Sequence, residues 1–162
     1  MKQLLFSYTF VIFLCAQLSL QVQAQPKSYL DSLERVIQET EDLYNKANAL
    51  NRLAVAYVFV DIDKAISYGL QSLATIPSDK KKAKAHICNT VGSLYAHKGS
   101  AKDAAIYLDS SIILFEQIGD TLGMASAYGN MGNFYYTIDK YGPALTYLQR
   151  SLKINEELNN LT

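Results

Sequence analysis

Met124-Ala-Ser-Ala-Tyr-Gly-Asn-Met-Gly-Asn-Phe-Tyr-Tyr136, a short polar break, and then Tyr141-Gly-Pro-Ala-Leu-Thr-Tyr-Leu-Gln-Arg-Ser-Leu152 decide the fold. Small residues recur at helical spacing where two helices must touch, and larger apolar residues recur where neighbouring pairs must stack. Moving back 40 residues superimposes Gly132 on Gly92, Tyr135 on Tyr95, Ala144 on Ala104 and Leu148 on Leu108. Moving back another 39 brings Ala104 onto Ala65 and Tyr107 onto Tyr68. Self-similarity at a fixed period of this size marks a helical repeat array, in which each unit needs its neighbour to bury its apolar face. The expected fold is all-α: a right-handed superhelix, or solenoid, of antiparallel helix pairs.

Outward from this stretch, three units are expected within 43–162, at 43–79, 83–121 and 122–160. In the first, Leu50, Leu53, Ala54 and Tyr57 line one helix. Asp61 caps a second one over Asp63–Ala74, with Ala65, Tyr68, Ser72 and Leu73 at the recurring positions. In the second, Gly99 can take the left-handed conformation that closes a helix, and Lys102–Gln117 follows. In the third, Pro143 suits the first position of a helix, where its missing N–H would be unpaired anyway, and the helix runs to about Leu158. Ahead of the array, 25–42 reads as a short helix with Leu30, Leu33, Val36 and Ile37 on one side. It can cap the exposed edge of the first unit. At the far end no polar capping helix follows, so the last helix supplies that face itself or the array continues into a longer chain.

Composition bounds the function. The 162 residues carry 15 basic and 15 acidic side chains, a neutral balance that gives no drive toward nucleic acid or an anionic membrane. Lys80, Lys81, Lys82 and Lys84 cluster at a helix start and read as the solvated face of a neutral chain; cations there oppose the helix dipole, so they do not cap it. Residues 1–24 have the parts of a secretory signal peptide: Lys2, the apolar run Leu4–Leu20, and Val22-Gln23-Ala24 before a cut ahead of Gln25. The expected location is therefore outside the cytoplasm, periplasmic, with a soluble domain after cleavage. A retained anchor is the other reading of the run. Cys15 follows Phe13-Leu14 and is not read as a lipid-attachment site. Cleavage leaves Cys88 as the lone cysteine, a small buried hydrophobe with no mate for an internal disulfide.

These residues resemble tetratricopeptide (TPR) repeats over about Leu43–Leu158. The resemblance is strongest in the third unit through Asn130-Met131-Gly132-Asn133-Phe134-Tyr135-Tyr136, Tyr141, Ala144, Tyr147, Leu148, Ser151 and Leu152. Val91, Gly92, Tyr95, Gly99, Ala104, Leu108 and Ser111 carry it in the second unit, and Ala54 replaces the glycine in the first. The consensus tryptophan is absent; Tyr128 and Cys88 stand in its place. The resemblance implies that Gly92, Gly132, Ala104 and Ala144 let paired helices approach, while Tyr95, Tyr135, Leu108 and Leu148 fill the space between units. A bulky residue at Gly132 or Ala144 should overpack that contact by about 1–3 kcal/mol. A signal peptide, a short helix and long-period repeats also resemble the exported N-terminal region of Bacteroidetes-type sensor histidine kinases and transcription regulators, which implies a sensing or scaffolding role.

The family resemblance implies a peptide- or protein-binding concave surface on the first helix of each unit. Its candidate residues are Asn51, Val55 and Val58, then Asn89, Ser93 and His97, then Asn133, Tyr136 and Thr137. Amides and hydroxyls on a helical lattice can hydrogen-bond an extended backbone, and Tyr136 offers a flat apolar contact. No catalytic residues, metal ligands or cofactors are expected. His86 and His97 are three turns apart on one helix, and the glycines follow no phosphate-loop pattern. The alternative to a binding module is a self-assembly piece docking through an open C-terminal edge.

Overall fold

The computed structural model describes residues 28–159. They form helix α1 over 28–39, then α2 (Leu43–Tyr57), α3 (Ile62–Thr75), α4 (Lys81–Lys98), α5 (Ala101–Ile118), α6 (Thr121–Thr137) and α7 (Tyr141–Asn159). The proposed signal segment 1–24 lies outside the described residues. Helices pack chiefly with their sequence partners, α2 with α3, α4 with α5 and α6 with α7, and each pair then leans on the next. These are the three paired units of the expected all-α solenoid.

Local chemistry sets the ends. Asp42, Asp61 and Asp120 each turn a carboxylate back onto the first amides of α2, α3 and α6: Tyr44 N at 2.8 Å, Lys64 N at 2.9 Å and Gly123 N at 3.0 Å. Lys80, ahead of α4, makes no such bond. Gly99 and Gly119 close α4 and α5 with φ of 83° and 67°, the left-handed conformation that glycine adopts without strain. The third unit puts Asp139 at the place of Gly99, also left-handed at φ 58°. Its carboxylate accepts a hydrogen bond from the Tyr141 hydroxyl at 2.7 Å. Because α7 starts at Tyr141, Pro143 is its third residue rather than its first. The consequence is the same, since the first four amides of a helix have no partner within it.

Helix α1 lies on α2, where Leu33 packs with Ala49 and Leu53. At the joint between units one and two, Ile76 meets Ile87 and Val91, with Ala83 alongside. At the next joint Phe115 and Ile112 meet Ala127 and Met131. There a Cβ on Gly123 would run into Cδ1 and Cε1 of Phe115. Ser72 and Ser151, at matching positions, tie the second helix of their units to the first by donating to the carbonyls of Ala47 and Ala125, both at 2.7 Å. Tyrosines also pair across the two helices of every unit. Tyr95 with Tyr107 and Tyr135 with Tyr147 stack at 5.6 and 5.5 Å, while Tyr57 with Tyr68 is tilted by 43°. In that first unit Lys64 Nζ sits 4.1 Å from the Tyr57 ring centre. Tyr95 and Tyr135 thus stack within their own units, and Tyr95 also packs at the joint with the first unit, against the cluster of Ala54, Ala65, Ile66 and Leu94.

The two recurring glycines are not equally constrained. A Cβ on Gly92 would fall 2.7 Å from Leu108 Cγ and 2.9 Å from the Leu108 backbone nitrogen. On Gly132 it would meet Leu148 Cγ at 2.7 Å, but the nearest backbone atom, Ala144 O, is at 3.2 Å. Leu108 is fully buried and Leu148 partly open, so Leu148 can swing aside. Alanine gains about 1 kcal/mol over glycine in a helix, against about 1–3 for overpacking. Urea unfolding should therefore show a net loss of about 2 kcal/mol for Gly92→Ala and less than about 1 for Gly132→Ala. Equal losses would mean that the Leu148 side is as rigid as the Leu108 side.

Candidate functional site

Five of the six residues expected on the concave surface from the second and third units come together. Ser93, His97, Asn133, Tyr136 and Thr137 line one slot of about 340 Å³ between α4 and α6, with Ala96, Phe134 and Asn130. Phe134 is buried. Ser93 and Thr137 spend their hydroxyl protons on their own helices, donating to Asn89 O at 3.0 Å and Phe134 O at 2.7 Å. Their oxygens can still accept. The amides of Asn130 and Asn133 bond to none of the described residues, so they retain both donor and acceptor capacity. The His97 ring also meets Phe59 edge-on at 5.8 Å. Asn130 was not anticipated, although it precedes Asn133 by three residues and so shares its helix face.

The sixth residue is displaced. Asn89, expected at the surface, is only 7% exposed. Neighbouring first helices converge there, and its Nδ2 donates to Ser126 Oγ on α6 at 3.3 Å. Asn89 therefore ties α4 to α6 instead of facing a ligand. Of the first-unit residues, Val55 is exposed. Val58 packs against the core of Ala54, Ala65, Ile66 and Leu94, and Asn51 lines a wider groove of about 1300 Å³ with Asn48, Lys80, Lys81, Lys82, His86 and Asp120.

The charges in that groove are largely neutralised. Lys82 Nζ pairs with Asp120 at 2.8 Å. This contact, with the Gly123 amide, holds the Asp120 carboxyl below the usual carboxylate range. His86 lays its ring edge-on against Phe115 at 4.8 Å, and this burial lowers its pKa, so the neutral ring is favoured. Burial pushes the Cys88 thiol up, which disfavours its thiolate. Among the described residues no group of three or more His, Cys, Asp or Glu side chains could hold a metal ion. No described helix is long and apolar enough to cross a membrane.

A second surface lies on the last described helix. Tyr141, Leu145, Leu148 and Leu152 of α7 are 60%, 58%, 39% and 57% exposed. Of their counterparts 40 residues earlier, Leu108 and Ile112 are only 0% and 8% exposed and Ala105 packs beside them in the cluster that α6 completes, while Ala101 is exposed like Tyr141. Tyr136 meets Tyr141 edge-on at 5.7 Å and widens the patch.

With paired helices, repeating glycine contacts and nearest-neighbour packing established, comparison with known proteins gives a consistent result. Residues 83–157 match the tetratricopeptide repeat family. The fold is TPR-like. Among solved structures, BtubC (BKLC) from P. vanneervenii shares it with a TM-score of 0.70 at 21% identity, over 85% of this chain and 58% of that one. This TPR-like chain thus spans little more than half the length of BtubC. No curated protein matches the sequence.

Proposed function

We propose that the chain is a non-enzymatic protein-docking and scaffolding module whose main docking surface is the uncovered face of α7. One observation carries this reading: the positions that α6 covers on α5, Ala105, Leu108 and Ile112, recur on α7 as Leu145, Leu148 and Leu152 with nothing over them among the described residues. Apolar area of this kind concentrates at sites of protein contact. A photo-crosslinking amino acid at Leu152, in cells making the full chain, should trap a discrete adduct that Leu145→Lys removes. The same probe at Glu157, on the charged side of α7, should trap none. Indistinguishable products from the two positions would reject the docking surface.

The slot between α4 and α6 supports a second, smaller role in gripping a peptide, because two unpaired amides there flank an apolar floor. The N-terminal segment and the resemblance to exported sensor regions support a periplasmic setting, and within it the sensing part of a signalling system. A secreted form beginning at Gln25, read by mass spectrometry, would support that setting; an uncleaved cytoplasmic form would rule it out.

A further inference from the structure

We infer that the occupant of the α7 face is a second copy of this chain, paired α7 to α7 in antiparallel fashion. The inference rests on the docking reading above and adds the partner and its orientation. Tyr141, Leu145, Leu148 and Leu152 are spaced by four, three and four residues, the heptad spacing that keeps one stripe facing a partner helix. About a twofold axis between residues 146 and 147, Tyr141 meets the partner's Leu152 and Leu145 meets the partner's Leu148. All four layers are then apolar, and each residue finds its complement in the same set of four. A self-complementary patch of this kind is what a twofold interface requires.

Asn155 separates this occupant from a further helix of the same array. At the two earlier joints the equivalent positions are Ile76 and Phe115, buried pegs seated against the incoming helix at Ala83 and Gly123. On α7 the peg is replaced by an exposed amide. An eighth helix packed in the manner of α4 or α6 would find that anchor missing. The antiparallel pair does not use it, because position 155 then lies beyond the start of the partner's α7. Arg150, Lys153 and Glu157 project away from the stripe, so no like charges face each other across the seam. The antiparallel arrangement also repeats the relation between α5 and α6, and makes a four-helix bundle of α6 and α7 from each copy. The exposed fractions of the four residues and Tyr136 leave roughly 500 Å² of apolar side chain open, against about 800 Å² per partner in a standard interface. That places the dimer at the weak, concentration-dependent end.

The test uses the full chain with Cys15→Ser, which leaves buried Cys88 as the native thiol. Light scattering across a concentration series should rise from the mass of one chain to two. Leu145→Lys with Leu152→Lys, both on the open face, should move the midpoint up by at least about tenfold while far-ultraviolet circular dichroism keeps its helicity. Tyr141→Cys protein and Leu152→Cys protein should form disulfide-linked dimers on mild oxidation only when mixed. Cross-linking of each variant alone would mean a parallel seam and would overturn the stated orientation. A monomer at every concentration would overturn the second copy while leaving the photo-crosslinking result to decide the docking surface. A dimer indifferent to the lysine substitutions would overturn both.

Discussion

Phe115→Ala should lower the unfolding free energy by about 3–5 kcal/mol, the range for removing a fully buried aromatic ring and leaving its cavity. The ring is completely buried, packs in one cluster with Ala85, Ala127 and Met131, and receives the edge of His86. It sits at the joint between the second and third units, so the loss should not be uniform. In a solenoid, stability is close to a sum of unit terms and nearest-neighbour terms. Hydrogen exchange should therefore show α6 and α7 opening well before α2 and α3, together with a lower urea midpoint. A loss under about 1 kcal/mol, spread evenly along the chain, would mean that the joint does not depend on this ring.

Gly123→Leu should cost about 3 kcal/mol or more, at the upper end of overpacking effects. A Cβ alone already collides with the Phe115 ring, and a leucine adds three more carbons. The ring or the first turn of α6 has to move. If α6 moves, the bond from the Gly123 amide to Asp120 breaks and the pairing of Asp120 with Lys82 is disturbed. The two substitutions should also compensate. In a Phe115→Ala background the leucine enters the vacated space, and a double-mutant cycle should give a coupling of about 1–3 kcal/mol in the rescuing direction. Additive losses would show that Gly123 is required for its backbone rather than for the room it leaves.

The period made most of the fold legible. Once Gly132, Gly92 and Ala54 fall in register, the helix pairs, the Asp61 cap and the left-handed Gly99 follow from local chemistry, and each holds in the structure. What could not be read is set by how one unit leans on the next. Asn89 has the same helical phase as an exposed residue, yet α6 approaches closely enough to bury it. Gly123 belongs to no recurring glycine position. Its meaning appears only when joints are aligned instead of units: Ile76 against Ala83 becomes Phe115 against Gly123, one side growing as the other shrinks. Asp139 likewise takes a conformation that a repeat alignment would reserve for Gly99. For the slot between α4 and α6, helical phase alone gathered Ser93, His97, Asn133, Tyr136 and Thr137, because residues three and four apart share one helix face.

The tyrosine pairs have an optical consequence. The chain has no tryptophan, so phenolic transitions dominate its near-ultraviolet spectrum. Tyr95 with Tyr107 and Tyr135 with Tyr147 hold their rings almost parallel, at 5° and 12°, while Tyr57 with Tyr68 is tilted. Rings stacked at a fixed angle couple their transition dipoles, so the second and third units should contribute strong dichroic bands and the first a different one. Phenylalanine at Tyr107 or Tyr147 would then remove one band at a time, giving each unit its own spectroscopic signature without an attached label.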